Sequence, residues 1–327
     1  MNKILISLLS VICLLFPNLT ALSIKAARSV LPPVPQAHGN DCIHFLKTGS
    51  SDAILIESNG HFAMVDAGED TDNPRGFEAL ELTGYEQEVL AYLKAHAADE
   101  NGNVHLDFVL GTHAHSDHIG GFDTIILDPA VTIDRAYLKE YDSSRINEHE
   151  IEEWDNQEVY DQMVGALEAR GIPRLQPDDT PFALGDFTVT LFNTVDPENP
   201  DRVGENDNSL GVLLEKNGTR IFLAGDMDDL TGDETRLAPA IGEVDLLKVG
   251  HHGYPGSSTE TFIRTLLPDA CVLTNDGSRA NRQNLASIIK ICRHTRFYFT
   301  GNENGVLADV GDQGEIKYYG QIDPNHK

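Results

Sequence analysis

The sequence has 327 residues, of which 40% are hydrophobic and 23% are charged, so it is long and apolar enough to form one large globular domain. It carries 52 acidic against 24 basic residues, which gives a formal net charge of −28. Because such a charge repels polyanions, the composition argues against a protein that binds nucleic acid without specificity.

The first 26 residues have the layout of a secretory signal peptide. Lys3 precedes an apolar run from Ile4 to Phe16, and Pro17 and several small residues follow. This run is shorter than the roughly 20 residues that an uncleaved membrane-spanning helix needs, and no later segment is suited to span a bilayer. We therefore predict a cleaved signal peptide over 1–26, a Pro-rich tether over 27–39, and a secreted or cell-surface protein without a transmembrane anchor after cleavage.

The cysteines do not indicate a disulfide framework. Cys13 lies in the predicted signal peptide, which leaves Cys42, Cys271 and Cys292. A bridge between Cys271 and Cys292 stays open, although isolated buried thiols are commoner in a domain of this size. No CxxC spacing suggests a thiolate site, so any metal is expected on histidine and carboxylate ligands.

Two hairpins are predicted in the domain assigned to 40–327. The stretch AILIESNGHFAMVDAGED alternates apolar and polar residues around Asn59 and Gly60, and LGVLLEKNGTRIFLAGD does so around Asn217 and Gly218. An Asn-Gly pair favours the two-residue type I′ turn. Each stretch therefore predicts two antiparallel strands.

Helical and strand patterns alternate between and after these hairpins. Apolar residues recur at helical spacing over 85–98 and 150–169, and a further helix is predicted over 287–292. More strands are predicted at DFVLGT, RAYLKEY, FTVTLFN, VDLLKVGHH, ACVLTN and RFYFTG. Two halves that each combine strands with helices predict an α/β fold, an αββα four-layer sandwich with active-site loops along one edge.

Three histidines and an aspartate fall within six residues in LGTHAHSDHIGG, after an apolar strand and before a predicted helix. His113 and His115 lie two apart on an extended strand end and point to the same side, while Asp117 and His118 turn back at the helix entrance. One loop can therefore serve two adjacent metals. Imidazole and carboxylate ligands suit zinc, and manganese or iron is compatible with them.

Two later predicted strands also end in candidate metal ligands. Asp226 follows an apolar run and a glycine in FLAGDMDD, where a carboxylate can bridge two metals about 3.5 to 4 Å apart. His251 and His252 end the predicted strand in DLLKVGHHG. Each is weak evidence alone, because aspartate is common in turns. Their order after the histidine motif makes them candidate ligands.

The order HxHxDH, then GD, then a terminal histidine resembles the metallo-β-lactamase superfamily, over almost the whole chain after the signal peptide. The stretches NDNSL and KVGHHG are similar to the branch that contains the hydrolase domain of competence DNA-uptake channels, which lacks the usual third-motif histidine. The longer stretches AILIESNGHFAMVDAGED, THAHSDHIGG and EEWDNQEVYD look closest to the catalytic domain of teichoic-acid phosphorylcholine esterase. The sequence departs from the branch at 47–52, where KTGSSD replaces DVGQGD, and it contains no choline-binding repeats.

The resemblance implies a metallo-β-lactamase αββα sandwich that holds two zinc ions. The implied ligands are His113, His115, Asp117, His118, Asp226, His252 and His251, the last of which is either a ligand or a phosphate contact. Asp117, Asp226 and His251 are the implied catalytic residues. Asp66, Asn206 and Asn208 are expected next to the ligands rather than on the metals.

The resemblance also implies a hydrolase, most specifically a phosphodiesterase that releases phosphorylcholine or a similar head group from a small molecule, lipid or cell-surface polymer. The alternatives are an extracellular nuclease of the competence-channel type, an ester or lactam hydrolase, and an inactive protein that binds wall polymers. Trp154 and Tyr141 offer a cation–π contact for a cationic head group, although a lone tryptophan on a helix is more often in the core. After Asp70, Phe77 and Tyr85 are the nearest aromatic residues.

Overall fold

The structure is a computed structural model that describes residues 31–36, 38–71, 83–195, 204–275, 277 and 282–322. The predicted signal peptide, the first residues of the predicted tether and Phe77 lie outside the described residues. Within the tether, Leu31 is buried and its backbone N–H donates to the Glu303 carboxylate at 3.0 Å. This part of the tether therefore packs on the domain, and the domain limits stay a prediction.

The secondary structure of the described residues alternates strands and helices along the chain. The strands are β1 (Asp41–Phe45), β2 (Ala53–Ser58), β3 (His61–Ala67), β4 (Val104–Leu106), β5 (Phe108–Leu110), β6 (Val131–Ile133), β7 (Ala136–Tyr137), β8 (Arg174–Leu175), β9 (Phe182–Leu184), β10 (Phe187–Phe192), β11 (Gly211–Lys216), β12 (Thr219–Leu223), β13 (Leu246–Lys248), β14 (Ala270–Leu273), β15 (Arg296–Phe299), β16 (Val306–Val310) and β17 (Ile316–Gly320). The helices are α1 (Glu86–Ala97), α2 (Ser116–Ile119), α3 (Phe122–Leu127), α4 (Glu148–Glu153), α5 (Asn156–Arg170), α6 (Asp233–Ile241), α7 (Glu260–Leu266), α8 (Arg282–Ile291) and α9 (Thr300–Glu303). Short 3₁₀ turns lie at Ser143–Arg145 and Glu205–Asn208, and Gly250–Gly253 form a turn that contains two left-handed residues.

Both predicted hairpins are confirmed, and their turns have the predicted chemistry. Asn59 and Gly60 have φ values of 49° and 83° between β2 and β3, and Asn217 and Gly218 have φ values of 49° and 86° between β11 and β12. Positive φ at both central residues is what a type I′ turn requires, and asparagine and glycine adopt it at low cost.

Two sheets form the centre of the molecule. Within the described residues, the first sheet has the strand order β17-β16-β1-β2-β3-β5-β7-β8 and the second has the order β15-β14-β13-β12-β11-β10-β9. Each sheet is antiparallel on one side and parallel on the other, where β3, β5, β7 and β8 run together and β12 to β15 run together. The carboxyl ends of the parallel strands lead into the loops that carry the histidine and aspartate motifs, as is usual for ligand sites in α/β sheets.

Three apolar clusters lie between four layers of secondary structure. The inner faces of the two sheets meet in one cluster that includes Ile56, Val65, Leu214 and Val272. The outer face of the first sheet packs on α1, α3 and α5, and the outer face of the second sheet packs on α6, α7 and α8. The predicted αββα sandwich is therefore confirmed.

The helix predicted over 150–169 is wrong as a single element. The chain forms α4 and α5 instead, and Trp154 between them has extended backbone angles of φ −124° and ψ 152°. Asn147 caps the start of α4, because its side-chain oxygen accepts from the Glu150 N–H at 3.0 Å. Trp154 lies at this break and is half-buried, so it belongs to the surface of the domain rather than to its core.

Two other sequence expectations concern the described residues. Cys42, Cys271 and Cys292 are free thiols, so the bridge between Cys271 and Cys292 that the sequence left open does not form. No helix in the described part of the chain has the length and hydropathy that crossing a bilayer requires.

Candidate metal centre

The histidine motif lies in the loop that leaves β5 and enters α2. The His113 Nε2 and His115 Nδ1 atoms are 2.9 Å apart, so both rings are directed to the same point, as the spacing predicted. His118 is fully buried, with Nδ1 2.7 Å from Asp66 Oδ2 and Nε2 3.2 Å from Asp226 Oδ1. A tight loop after an extended strand thus brings three imidazoles together.

The second half of the molecule supplies the remaining predicted residues. Asp226 follows β12, and its backbone N–H donates to Ser209 Oγ at 2.8 Å. The turn after β13 places His252 Nε2 3.4 Å from Asp226 Oδ2 and 3.4 Å from Asp117 Oδ2. His251 lies further out, with Nε2 3.9 Å from Asp226 Oδ2 and a side chain that is 25% exposed.

These side chains form two overlapping sets of potential ligands. His113, His118 and Asp226 offer ligand atoms within 4.8 Å of one another, and so do Asp117, His118 and His252. His115 lies beside the first set and His251 beside both, but neither belongs to a set at that distance. The structure thus brings all seven predicted ligands to one edge of the sandwich, with His115 and His251 at its rim.

The buried polar atoms of the site fit a pair of divalent metals. His118 Nε2, His252 Nε2 and Asp226 Oδ1 are buried and have no hydrogen-bond partner of good geometry among the described residues. Buried polar atoms are rarely left in that state, because each costs about 1 to 3 kcal/mol unless an ion or water satisfies it. Nitrogen and carboxylate donors without sulfur suit zinc, manganese or iron.

The charges of the site hold Asp226 ionised. Burial opposes its ionisation, but the nearby His118 and His252 outweigh burial and hold the pKa of Asp226 well below its usual range. Burial likewise disfavours the protonated form of both rings, yet Asp226 and Asp66 raise the pKa of His118, and Asp226 and Asp52 raise that of His252. The Asp226 carboxylate is therefore held in its charged form between the two rings.

The three residues expected beside the ligands occupy different positions. Asp66 holds His118 directly and also accepts from the Thr112 N–H at 2.8 Å. Asn206 Nδ2 lies 3.4 Å from His251 Nδ1. Asn208 reaches the ligand loop indirectly, because its amide donates to Glu205 Oε1, which accepts from the Ala114 N–H between His113 and His115.

A buried ion pair behind the ligands was not predicted. Lys248 is fully buried, pairs with the Asp52 carboxylate, donates to the Gly225 carbonyl at 2.9 Å and lies 3.6 Å from Asp226 Oδ1. Asp52 also accepts from Thr274 Oγ1 at 2.5 Å and lies 3.3 Å from His252 Nδ1. The pair thus connects the Asp226 loop to the His252 loop. Asp52 and Lys248 are far apart in the sequence and carry no spacing signal that would have paired them.

The outer face of His115 meets Glu150, which was not predicted, and Trp154, which the sequence analysis named for a cation–π contact. Glu150 Oε2 lies 3.4 Å from His115 Nε2, and the ring centroids of Trp154 and His115 are 4.6 Å apart. Burial disfavours the Glu150 carboxylate, but the contact with His115 holds the pKa of Glu150 below its usual range. An aromatic ring and a carboxylate therefore border the site on the side where α4 ends.

Gly120 is required by the packing of the histidine loop. A Cβ atom there would lie 2.4 Å from both the Asp70 nitrogen and the Ser116 carbonyl oxygen, and these backbone atoms cannot rotate away. We expect Gly120→Ala to lower the free energy of unfolding by about 3 kcal/mol in urea denaturation. Gly165→Ala is the control, since Gly165 faces open space on α5 and alanine there should stabilise by about 0.5 to 1 kcal/mol. Equal effects of the two substitutions would contradict the prediction.

Comparison with known proteins agrees with this geometry. A sequence profile described as "Beta-lactamase superfamily domain" matches residues 64–254, which include the histidine motif, Asp226 and both late histidines. The chain belongs to this superfamily. The predicted family and fold class are thereby confirmed, and the chain has the fold of metal-dependent hydrolases.

The individual proteins that resemble this chain share less than a third of their aligned residues with it. The chain is 27% identical to ComE operon protein 3 of Bacillus subtilis over 207 residues, which is 62% of this chain and 24% of that protein. It is 24% identical to Recombination protein 2 of Haemophilus influenzae over 232 residues, which is 70% of this chain and 24% of that protein. The match thus spans about a quarter of these relatives. Among solved structures, the metallo-beta-lactamase fold protein YhfI from Bacillus subtilis is similar with a TM-score of 0.45 and 11% identity, over 84% of this chain and 98% of that one.

These relatives agree with the sequence resemblance to the competence-channel branch. The closer resemblance to phosphorylcholine esterase stays a prediction, as do the individual roles of the site residues.

Proposed function

We propose that this protein is an exported phosphodiesterase with two divalent metals, zinc foremost, that releases phosphorylcholine or a similar cationic head group. The observation that carries the proposal is the Asp226 carboxylate, buried between His118 and His252 at 3.2 and 3.4 Å. A carboxylate in that position is suited to join two metal sites. The predicted signal peptide supports export.

The proposed ligands are divided between two positions. His113 and His115 would hold one metal, Asp117, His118 and His252 would hold the other, and Asp226 would contact both. Two such cations lower the pKa of water and neutralise charge on a phosphoryl group. This chemistry suits a phosphodiester, because charge develops on the phosphoryl oxygens during in-line attack.

Residues on the open side of the site would handle the proton and the substrate. The Asp117 side chain is 13% exposed and lies 3.4 Å from His252 Nε2, a position from which it would accept the proton of the attacking water. His251 would donate a hydrogen bond to a phosphoryl oxygen, since its ring is partly exposed and lies beside Asn206.

The preference for a cationic head group rests on the border of the site. Trp154 packs against His115, Glu150 lies next to both, and the exposed Glu152 adds negative charge. An aromatic face with nearby carboxylates attracts a quaternary ammonium group by cation–π and Coulomb forces. A net charge of −28 favours a cationic group and disfavours a polyanion.

The test compares two substrates on the purified, zinc-loaded protein. We expect p-nitrophenyl phosphorylcholine to be hydrolysed with a higher kcat/KM than bis-p-nitrophenyl phosphate, and 1,10-phenanthroline to stop both reactions. Trp154→Ala should raise KM for the choline ester by about 3- to 30-fold and leave the simple diester nearly unchanged. Trp154→Phe is the matched control and should keep most of the preference.

Either of two results would reject the substrate assignment. One is equal hydrolysis of both esters, and the other is a Trp154→Ala variant that loses both activities in parallel. The similarity to ComE operon protein 3 and Recombination protein 2 favours a nuclease as the second candidate. Cleavage of single-stranded DNA without hydrolysis of the choline ester would support that alternative.

A further inference from the structure

A second cluster of metal-binding side chains lies on β1 and β2, and it shares no residue with the candidate metal centre. Cys42 and His44 are two apart on β1 and therefore face the same side of the sheet, and Glu57 on β2 is the cross-strand partner of Cys42. Their ligand atoms lie within 4.8 Å of one another. We call these three residues the Cys42 cluster.

Two distances at the Cys42 cluster agree with ligands that share one tetrahedral ion. Ligand atoms that share a zinc at about 2.0 to 2.3 Å lie roughly 3.3 to 3.7 Å from each other. His44 Nε2 is 3.5 Å from Glu57 Oε2, and the Cys42 sulfur is 3.5 Å from Nδ1 of the exposed His38. That His38 nitrogen also lies 2.9 Å from the Gly39 carbonyl, and its exposed ring is the candidate for a fourth ligand.

His44 has the surroundings of a metal-binding histidine. Its Nδ1 is 2.8 Å from the Tyr92 hydroxyl, while Nε2 is buried, directed at Glu57, and without a hydrogen-bond partner of good geometry in the described structure. Ligating histidines commonly have one ring nitrogen held by such an outer group and the other on the metal.

The charges around Cys42 favour a cation. Its two cross-strand neighbours, Glu57 on β2 and Asp309 on β16, are both acidic. Lys216 is the nearby cation, and it is held by Asp41 at 2.6 Å. A divalent ion would reverse this balance and bind the thiolate, with the thiol proton released to solvent.

We propose that Cys42, His44 and Glu57, completed by His38, bind one thiophilic divalent cation, zinc foremost, at a structural site separate from the hydrolytic centre. The ion would fasten residues just before β1 to the β1–β2 pair. This site departs from the sequence expectation that metal ligands are limited to histidine and carboxylate. A Cys-x-His spacing on one strand was its signal, and the distant Glu57 completes it only in the fold.

Cobalt(II) gives a test that the hydrolytic centre cannot imitate, since none of its proposed ligands is a cysteine. The purified protein is stripped of metal, kept reduced and titrated with cobalt(II). We expect a near-ultraviolet sulfur-to-cobalt charge-transfer band whose final intensity corresponds to one thiolate-bound cobalt per chain. Cys42→Ser should lose the band and bind one ion fewer, and Cys292→Ser, the matched control, should behave as the unchanged protein does.

Glu57→Gln keeps the test valid should Cys42→Ser fail to fold, because Glu57 is partly exposed. This variant should keep the band but bind the thiolate-site cobalt about tenfold or more weakly, with phosphodiester hydrolysis unchanged. The absence of the band in the unchanged protein, its persistence in Cys42→Ser, or an unchanged affinity in Glu57→Gln would each overturn the proposal.

Discussion

Replacing Asp226 with asparagine is expected to lower kcat for bis-p-nitrophenyl phosphate by about a thousandfold and to leave a folded domain. Loss of a group that only supports a metal ligand already costs about 10- to 100-fold in affinity or activity. Asp226 is itself a proposed ligand, and its two oxygens are directed at His118 and His252, so its loss should cost more. Asparagine keeps the shape but removes the charge and one acceptor. Steady-state kinetics, metal analysis and circular dichroism measure the outcome.

Asp161→Asn is the matched control for this substitution. Asp161 is exposed on α5 and its carboxylate accepts from Gln157 alone among the contacts described, so activity and metal content should not change. Wild-type turnover in Asp226→Asn at full metal occupancy would refute the central place given to this carboxylate. His113→Ala should likewise abolish turnover, since it removes a proposed ligand from the first metal position.

Replacing Lys248 with methionine is expected to lower the free energy of unfolding by about 3 to 5 kcal/mol, because it leaves a buried charge without its partner. Burial opposes ionisation of Asp52, but Lys248, His252 and His118 hold the pKa of Asp52 at about 2, so this carboxylate is charged at neutral pH. Methionine fills similar space yet offers no compensating charge. Urea denaturation of both proteins, at equal metal occupancy, measures the difference.

A double variant separates the lost charge pair from lost packing. Asp52→Asn combined with Lys248→Met should recover most of the stability, because the two substitutions remove both buried charges together. Lys317→Met, at an exposed position on β17, should change stability by no more than about 0.5 kcal/mol. A double variant as unstable as Lys248→Met would show that the pair is not what stabilises this part of the molecule.

Local signals in the sequence predicted the elements whose structure is decided locally. The turns at Asn59-Gly60 and Asn217-Gly218 follow from residues that tolerate positive φ, and α1 follows from its apolar spacing. The break between α4 and α5 was missed because 150–169 keeps a helical pattern through Trp154. The local pattern does not encode the contacts of α4 with distant segments, such as the Glu150 carboxylate that accepts from the Glu205 N–H at 3.0 Å.

In the candidate metal centre, too, local patterns were predictable and contacts between distant segments were not. The ligand loop was predictable because four ligands fall within six residues, and Asp226 and His252 followed from their places at strand ends. The Asp52–Lys248 pair was not, since a lone aspartate and a lone lysine 196 positions apart carry no spacing signal, and only the packing of the two sheets brings them together. The strand β16 was missed for a similar reason, because it pairs with β1 from the other end of the chain.

The turn that carries His251 and His252 has a further consequence for how the centre works. Both residues have a φ of 48°, a left-handed conformation that costs an ordinary side chain roughly 1 to 2 kcal/mol each. The turn is held by the His252 carbonyl, which accepts from the Asn275 amide, and by Ser257 Oγ, which donates to the Gly250 carbonyl at 2.8 Å. The rest of the fold therefore bears this cost when the chain folds. The backbone of this turn, rather than free side-chain rotation, therefore fixes the positions from which the two rings project into the site.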